Sequence, residues 1–144
     1  MSKIPFRAAL FDLDGTLLDS MNVWKRVDEI FFTGRGMAVP EDYGRKVAGM
    51  SYRETAEFTV AEYLPGETVQ GLLDEWSRLS LREYAERVPL KPGAADYLRM
   101  LRRAGVRLAV TTALPPSMYE PCLKRLGVFA LFDELCSTEH TGGR

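Results

Sequence analysis

Residues 10 to 20 read Leu-Phe-Asp-Leu-Asp-Gly-Thr-Leu-Leu-Asp-Ser, so two carboxylates come directly after a short apolar run. The run from Phe6 to Phe11 predicts a buried β-strand, and Asp12 and Asp14 follow it. Side chains repeat every two residues along a strand, so the two carboxylates can face the same side. Gly15 lets the chain turn sharply just beyond them. Because open α/β sheets bind ligands at the carboxyl ends of their strands, this stretch predicts a ligand site.

The composition is that of a globular domain. The chain has 144 residues, is 46% hydrophobic and carries 19 basic and 20 acidic residues. This length suffices for one hydrophobic core. The balanced charge gives no reason to expect nucleic acid or a membrane surface as a partner, and no apolar run approaches the ~20 residues of a membrane helix. Without an apolar leader, we expect a cytoplasmic protein whose Cys122 and Cys136 are reduced thiols.

Helical periodicity dominates residues 17–88, and no strand pattern interrupts it. Ser20 is the expected N-cap of the first helix, and Ser51 opens a capping-box pattern for a later one. Trp24 and Trp76 fall on apolar stripes, so we expect both in the core of the helical segment. The segment is therefore predicted to be an all-helical insertion after the first strand.

A different pattern begins at Pro89. The runs Val106 to Val110 and Phe132 to Cys136 predict two further strands, each preceded by a helix. Strands that alternate with helices form parallel βαβ units, so the predicted fold class is α/β. Thr111 and Thr112 follow the run from Val106 to Val110, at a strand end where a ligand site is expected.

These residues resemble those of a known family. Asp12-Leu-Asp14-Gly15-Thr16 resembles motif I of the haloacid dehalogenase superfamily, and Val110-Thr111-Thr112 resembles its motif II. The helical insertion after motif I is similar to the C1 cap of the phosphoglycolate phosphatase and β-phosphoglucomutase branch. The resemblance implies a Rossmann-like parallel sheet with an inserted α-helical cap. It implies these limits: residues 1–16 and 89–144 for the core, and residues 17–88 for the cap.

The resemblance also implies a chemistry, namely Mg²⁺-dependent hydrolysis of a small phosphomonoester. It makes Asp12 the nucleophile that forms an aspartyl-phosphate and Asp14 the general acid and base. Both aspartates would hold Mg²⁺, Asp14 through its backbone carbonyl, and Thr111, Gly15 and Thr16 would bind the phosphate. A cation is needed because two like charges ~4 Å apart repel by about 4 kcal/mol at an effective dielectric constant near 20. The expected partner is a small phosphorylated metabolite.

Other reactions are known within the superfamily, and the motif residues of this sequence favour some of them over others. Dehalogenases lack the second aspartate of motif I, so Asp14 favours phosphoryl transfer. Phosphonate-cleaving relatives use a lysine shortly after a glycine like Gly49, and no lysine follows here until Lys91. A phosphomutase similar to β-phosphoglucomutase uses the same two aspartates and stays open. We favour a phosphatase on family frequency alone.

The resemblance further implies a motif III lysine and a motif IV pair of acids after the third strand. The sequence given ends at Arg144, before either of them. We therefore expect an incomplete core, with the first strand at an unprotected edge, in a fragment of a longer protein. A second hypothesis is that the chain as given is inactive and at most a binding module. His140 is expected at the surface, and the oligomeric state is not predicted.

Overall fold

A computed structural model of the protein describes residues 4–137, and the chain divides into two compact units. The first, called the sheet unit here, consists of Met1–Met21 and Glu83–Arg144. The second, called the helical unit, consists of Asn22–Arg82 and is thus a single insertion into the first. The domain limits predicted from the sequence stay a prediction, because compact units of one chain need not be independently folding domains.

The sheet unit contains three strands: β1 (Ala8–Phe11), β2 (Arg107–Thr112) and β3 (Glu134–Ser137). Their order is β1-β2-β3, and both neighbouring pairs are parallel. The α/β class with a parallel sheet is therefore confirmed. All three strands end at the same edge of the sheet, because parallel strands share their direction. The sheet thus brings together residues that follow each strand.

Six α-helices occur within residues 4–137. In chain order they are α1 (Val23–Thr33), α2 (Tyr43–Val47), α3 (Tyr52–Tyr63), α4 (Val69–Glu86), α5 (Ala94–Arg103) and α6 (Pro116–Arg125). The segment between β1 and α5 contains no strand within the described residues, so its helical character is confirmed. The last residues of α4, from Glu83 onward, belong to the sheet unit.

The core of the sheet unit lies around β2. Leu108 and Val110 of this strand are fully buried, and so are Leu98 of α5 and Leu123 of α6. The alternation of buried and exposed residues along β2 gives that strand one apolar face. Burial of these side chains stabilises the position of β2, which carries Thr111 and Thr112 at its end.

The core of the helical unit is aromatic. The rings of Phe31 and Trp76 lie 5.5 Å apart, and those of Phe32 and Tyr43 lie 5.2 Å apart, all in edge-to-face geometry. All four side chains are at most 2% exposed. Such ring pairs add about 0.5–1.5 kcal/mol each beyond the area they bury. The predicted capping box is confirmed, since Ser51 and the residue three positions on exchange both hydrogen bonds.

Two expectations for α1 are wrong. The helix begins at Val23 with Asn22 at the N-cap, and Ser20 does not cap it. The Ser20 hydroxyl instead donates a hydrogen bond to Asp14 Oδ1 at 2.8 Å. Trp24 is 50% exposed rather than part of the core, whereas Trp76 is buried as expected. Apolar spacing along a helix does not distinguish a core face from the wall of an open pocket.

Other expectations have mixed outcomes. Cys122 and Cys136 are both free thiols, as expected. None of the helices in the described range is both long and apolar enough to cross a membrane. His140 lies outside the described residues. The first strand is shorter than predicted and begins at Ala8, since Phe6 is 41% exposed and precedes the ladder. The prediction that this strand is buried is wrong: Leu10 is 68% exposed, because β1 lies at the edge of the sheet.

Candidate active site

A cavity of about 590 Å³ opens where the strands end. Its lining comes from the ends of all three strands: Asp12, Asp14, Thr111, Thr112, Ala113, Cys136 and Ser137. The structure therefore brings together three of the residues that the sequence singled out, namely Asp12, Asp14 and Thr111. Clefts beyond the carboxyl ends of parallel strands are the usual ligand sites of open α/β sheets.

The turn after β1 exposes the side chains of the two aspartates and buries the leucine between them. Leu13, between them, is fully buried, whereas Asp12 and Asp14 are exposed. The Leu13 carbonyl accepts the backbone N–H groups of three following residues, at 2.9–3.1 Å, which closes the turn. Gly15 has a φ of 75°, in the left-handed region that a side chain would strain. The turn is thus a rigid support for both carboxylates.

Gly15 and Thr16 do not line the cavity. The N–H of Gly15 donates to the carbonyl of Leu18 at 3.0 Å, and that of Thr16 donates to the carbonyl of Leu13 at 3.1 Å. Both amides are therefore engaged within the turn. The predicted phosphate-binding role of Gly15 and Thr16 stays a prediction.

Asp14 is held by two hydroxyl groups. Its Oδ1 atom accepts a hydrogen bond from Ser20 Oγ at 2.8 Å and another from Tyr84 Oη at 2.7 Å. Burial raises the pKa of Tyr84, and its hydrogen bond to the Asp14 carboxylate raises that pKa further. The phenol therefore keeps its proton and remains a donor. Two donors on one oxygen orient the carboxylate and leave its other oxygen available to the cavity.

Asp12 is less constrained. Its Oδ1 atom accepts the backbone N–H of Leu13 at 2.7 Å. Within residues 4–137 its other oxygen has no hydrogen-bond partner. An exposed carboxylate with a free oxygen beside a cavity can bind a cation or attack an electrophile.

Two threonines at the end of β2 offer hydroxyl groups to the cavity. Thr111 is exposed, and Thr112 is 6% exposed. The Oγ1 atom of Thr112 accepts the backbone N–H of Leu114 at 3.1 Å, so the position of that oxygen is fixed. Motif resemblance assigned no role to Thr112. Its place in the lining makes it a second candidate for hydrogen bonding to a phosphoryl oxygen.

Sequence reasoning missed Tyr84. In the sequence, 70 positions separate it from Asp14. No local pattern could reveal such a contact, because only the fold brings the end of α4 back beside β1. Arg125 secures this return, since its guanidinium donates to the backbone carbonyls of Tyr84, Ala85 and Val88.

The donor set at this site suits a hard cation. Asp12 and Asp14 present carboxylate oxygens, the ligands that Mg²⁺ prefers, and neighbouring backbone carbonyls can add to them. In the described part of the chain, no group of three or more acidic, histidine or cysteine side chains could hold a metal ion. The Asp12 carboxylate and the Asp14 backbone carbonyl suit Mg²⁺, whose further ligands would be water or substrate oxygens.

Comparison with known proteins agrees with this geometry. Residues 6–143 match the family model of the haloacid dehalogenase-like hydrolases. The chain belongs to this family. Its likeness to the phosphoglycolate phosphatase and β-phosphoglucomutase branch, expected from the sequence, is confirmed by the individual relatives.

Three members of the family illustrate the likeness. The chain is 28% identical over 134 residues to the validoxylamine A 7'-phosphate phosphatase of Streptomyces hygroscopicus subsp. limoneus, covering 93% of the chain and 62% of that protein. It is 29% identical over 140 residues to the phosphoglycolate phosphatase of Pseudomonas putida, covering 88% and 48% respectively. A protein of Thermotoga maritima, provisionally assigned as a beta-phosphoglucomutase, has a similar structure, with a TM-score of 0.83 and 21% identity. That match covers 93% of this chain and 62% of the other.

The chain is shorter than the proteins it matches. It spans 62% of the length of the first relative and 48% of the second. The three-stranded sheet accordingly corresponds to part of the relatives' core. The activity of the whole protein is therefore a matter for proposal.

Proposed function

We propose that the protein is a Mg²⁺-dependent phosphatase that hydrolyses a small phosphomonoester through an aspartyl-phosphate. One observation carries the proposal: Asp12 and Asp14 leave the same strand on either side of a buried leucine and line one cavity with the threonines of β2. Family membership and the names of the relatives support it, because the two curated relatives described above are both phosphatases.

The proposed reaction has two steps. In the first, a carboxylate oxygen of Asp12 attacks phosphorus, the bond from phosphorus to the ester oxygen breaks, and Asp14 gives its proton to that oxygen. In the second, Asp14 takes a proton from water, whose oxygen attacks phosphorus and releases inorganic phosphate from Asp12. Mg²⁺ held by the Asp12 carboxylate and the Asp14 backbone carbonyl would offset the repulsion between carboxylate and phosphate.

The structure gives other residues supporting parts in this proposal. Ser20 and Tyr84 orient Asp14, so that its proton is presented from one fixed oxygen. The hydroxyls of Thr111 and Thr112 would donate to phosphoryl oxygens, whose negative charge grows during the attack. The phosphate-binding roles of Gly15 and Thr16 stay proposals. Thr16 would act through its hydroxyl, and Gly15 would act by shaping the turn, since both amides are engaged.

The proposed substrate is a small phosphorylated metabolite, as it is for the relatives by their names. A phosphomutase is the second candidate, because the structure from Thermotoga maritima carries the beta-phosphoglucomutase name. The two differ in whether water or a sugar hydroxyl accepts the phosphoryl group from Asp12. A cytoplasmic location stays a prediction.

The test uses p-nitrophenyl phosphate with the full protein encoded by the gene, assayed with and without Mg²⁺. Asp12→Asn removes the attacking carboxylate, so kcat should fall by about a thousand-fold or more. Asp19→Asn is the matched control: it makes the same change at an exposed aspartate outside the cavity lining and should retain activity. Full activity in Asp12→Asn would refute the proposed mechanism.

Two further measurements separate the alternatives. Activity of the 144-residue chain itself would exclude the hypothesis that it is only a binding module. Production of inorganic phosphate from a phosphosugar, rather than an isomeric phosphosugar, would favour the phosphatase over the phosphomutase.

A further inference from the structure

The carboxyl end of α4, within the sheet unit, has no positive charge of its own. The last four carbonyls of an α-helix lack partners inside the helix and carry the negative end of its dipole. In α4 these carbonyls include those of Tyr84 and Ala85, and the last turn of the helix contains no basic residue. A cation from another element would therefore stabilise this end of α4.

Arg125 of α6 supplies that cation. Its Nε atom donates to the Ala85 carbonyl at 2.7 Å, and a terminal nitrogen donates to the carbonyls of Tyr84, at 3.2 Å, and Val88. The planar fork of the guanidinium fixes the directions of these bonds, which the flexible ammonium group of a lysine would not do. Arg125 therefore holds the backbone of Tyr84 in place.

The position of that backbone sets the position of one hydroxyl group. The Tyr84 side chain is 7% exposed and has only two rotatable bonds, so its closely packed ring has little freedom to adjust. Its Oη atom donates to Asp14 Oδ1 at 2.7 Å. A displacement of the end of α4 would therefore distort this hydrogen bond, which weakens as its geometry departs from linear.

We propose that Arg125 is a positioning residue for Asp14 and acts on its carboxylate through the end of α4 and the Tyr84 hydroxyl. The inference rests on the proposed function, in which Asp14 is the general acid and base. Arg125 does not line the cavity at the strand ends, so it is not placed to contact a substrate there. It acts on the orientation of the acid, and a small misplacement of a reacting group is enough to slow a reaction.

The first test requires no activity. Tyr84→Phe removes the hydroxyl group, so it should lower the melting temperature of the full protein by at least about 3 °C. In an Arg125→Met background the same change should lower it by less than about 1 °C, because the hydrogen bond to Asp14 is already lost there. Equal losses in the two backgrounds would overturn the proposal.

Kinetics with p-nitrophenyl phosphate provide the second test. Arg125→Met should lower kcat of the full protein by at least about three-fold, with little change in KM. In the Tyr84→Phe background it should have almost no further effect, because the hydroxyl that Arg125 positions is absent. A purely structural role would make the two losses multiply. That result, or an unchanged kcat in Arg125→Met, would contradict the proposal.

Lys124→Met is the matched control. It removes a positive charge from the same last turn of α6, from a side chain that lies over the Phe129 ring and 4.0 Å from Glu120. Its kcat should equal that of the unmodified protein, and a fall as large as that in Arg125→Met would overturn the proposal. If Arg125→Met does not fold, Arg125→Lys replaces it in both tests, since lysine keeps the charge without the fork.

Asp12→Asn distinguishes a failure of this inference from a failure of the proposed function. If Asp12→Asn is inactive and the melting temperatures show no coupling, the positioning role of Arg125 is wrong and the phosphatase proposal stands. If Asp12→Asn keeps full activity, the phosphatase proposal is wrong, and the role of Arg125 in that reaction is overturned with it. Coupled melting temperatures would then show only that Arg125 holds Tyr84.

Discussion

The sheet unit and the helical unit treat their carboxylates in opposite ways. In the sheet unit, Asp14 is exposed but receives two hydroxyl donors, and its position is fixed. In the helical unit, Asp28 is half-buried and has no such donor within the described residues. The first arrangement suits a group that must act from a defined position. The second leaves a carboxyl group whose pKa burial raises to about 6.

The two cores differ as well, and each can be weakened separately. Phe31→Ala removes a fully buried ring from the helical unit, and Leu108→Ala does the same for a buried side chain of β2. We expect losses of about 3–5 and 2–5 kcal/mol in the free energy of unfolding. Urea titration followed by circular dichroism measures both. Ile30→Ala, at a side chain that is 42% exposed, is the control and should cost much less.

The same titration shows whether the units unfold together. If the units are coupled, both variants shift one common transition. If they are independent, Phe31→Ala produces two unfolding transitions and lowers the urea midpoint of the helical unit alone. A loss below about 1 kcal/mol for both core variants would contradict the packing described here.

Tyr84→Phe tests how Asp14 is held. The change removes one hydroxyl that donates to the carboxylate at 2.7 Å and keeps the ring. Hydrogen bonds to charged groups contribute about 1.5–3 kcal/mol, so kcat for p-nitrophenyl phosphate should fall by at least about ten-fold. KM should change little, because the phenol acts on Asp14 rather than on the substrate.

Tyr97→Phe is the matched control, since the ring of Tyr97 packs on Phe11 and its side chain is 45% exposed. Equal effects of the two substitutions would show that Tyr84 serves packing alone. A rise in KM with an unchanged kcat would point to a contact with substrate instead.

Substitutions of the two threonines at the end of β2 should differ in their effects on stability and on activity. Thr112→Val removes the oxygen that accepts the Leu114 amide, so it should cost about 1 kcal/mol of stability as well as activity. Thr111→Val affects an exposed side chain with no such bond and should lower activity alone. Thermal melts and steady-state kinetics on both variants make the comparison. No loss of activity in either would remove the threonines from the proposed phosphate site.

Asp28 should make the helical unit sensitive to pH. Its pKa of about 6 in the folded chain lies above the ordinary value of 3.8, so the folded state binds more protons between these values. Stability contributed by the protonated form is therefore lost as pH rises through that window. Asp28→Asn should be more stable than the unmodified chain at pH 7, by about 1 kcal/mol after allowing for solvent screening.

Melting temperatures at pH 7 and near pH 4 provide the check, because the advantage of Asp28→Asn should vanish in acid. Glu57→Gln, at an exposed position on α3, is the charge-matched control at pH 7. A variant that is less stable than the unmodified chain at pH 7 would show that Asp28 has a stabilising partner.

Much of the sheet unit could be predicted from local sequence. A short apolar run, two acids and a glycine are enough to indicate a strand and the turn beyond it, because each depends on neighbouring residues only. The parallel pairing followed from the alternation of strands with helices. The meeting of Asp12, Asp14 and Thr111 at one cavity followed in turn from that pairing.

What the sequence could not supply were contacts between distant residues and the choice of face. Ser20 looked like a helix cap, since serine before a helix usually is one, but a carboxylate nearby in the folded chain competes for its hydroxyl. Trp24 fitted an apolar stripe, yet its ring forms the rim of a pocket. In both cases tertiary structure decides between two roles that the local pattern allows equally.

The turn after β1 and the segment after α4 are tied together by backbone pairing. The Asp19 amide donates to the Pro89 carbonyl at 2.9 Å, and the Lys91 amide donates to the Leu17 carbonyl at 2.8 Å. The chain therefore leaves the sheet unit and returns to it through two segments that are hydrogen-bonded to each other, and these segments close the insertion into a loop. The entropy of closing such a loop rises only slowly with its length. The length of residues 22–82 therefore has little effect on the entropy of closing this loop.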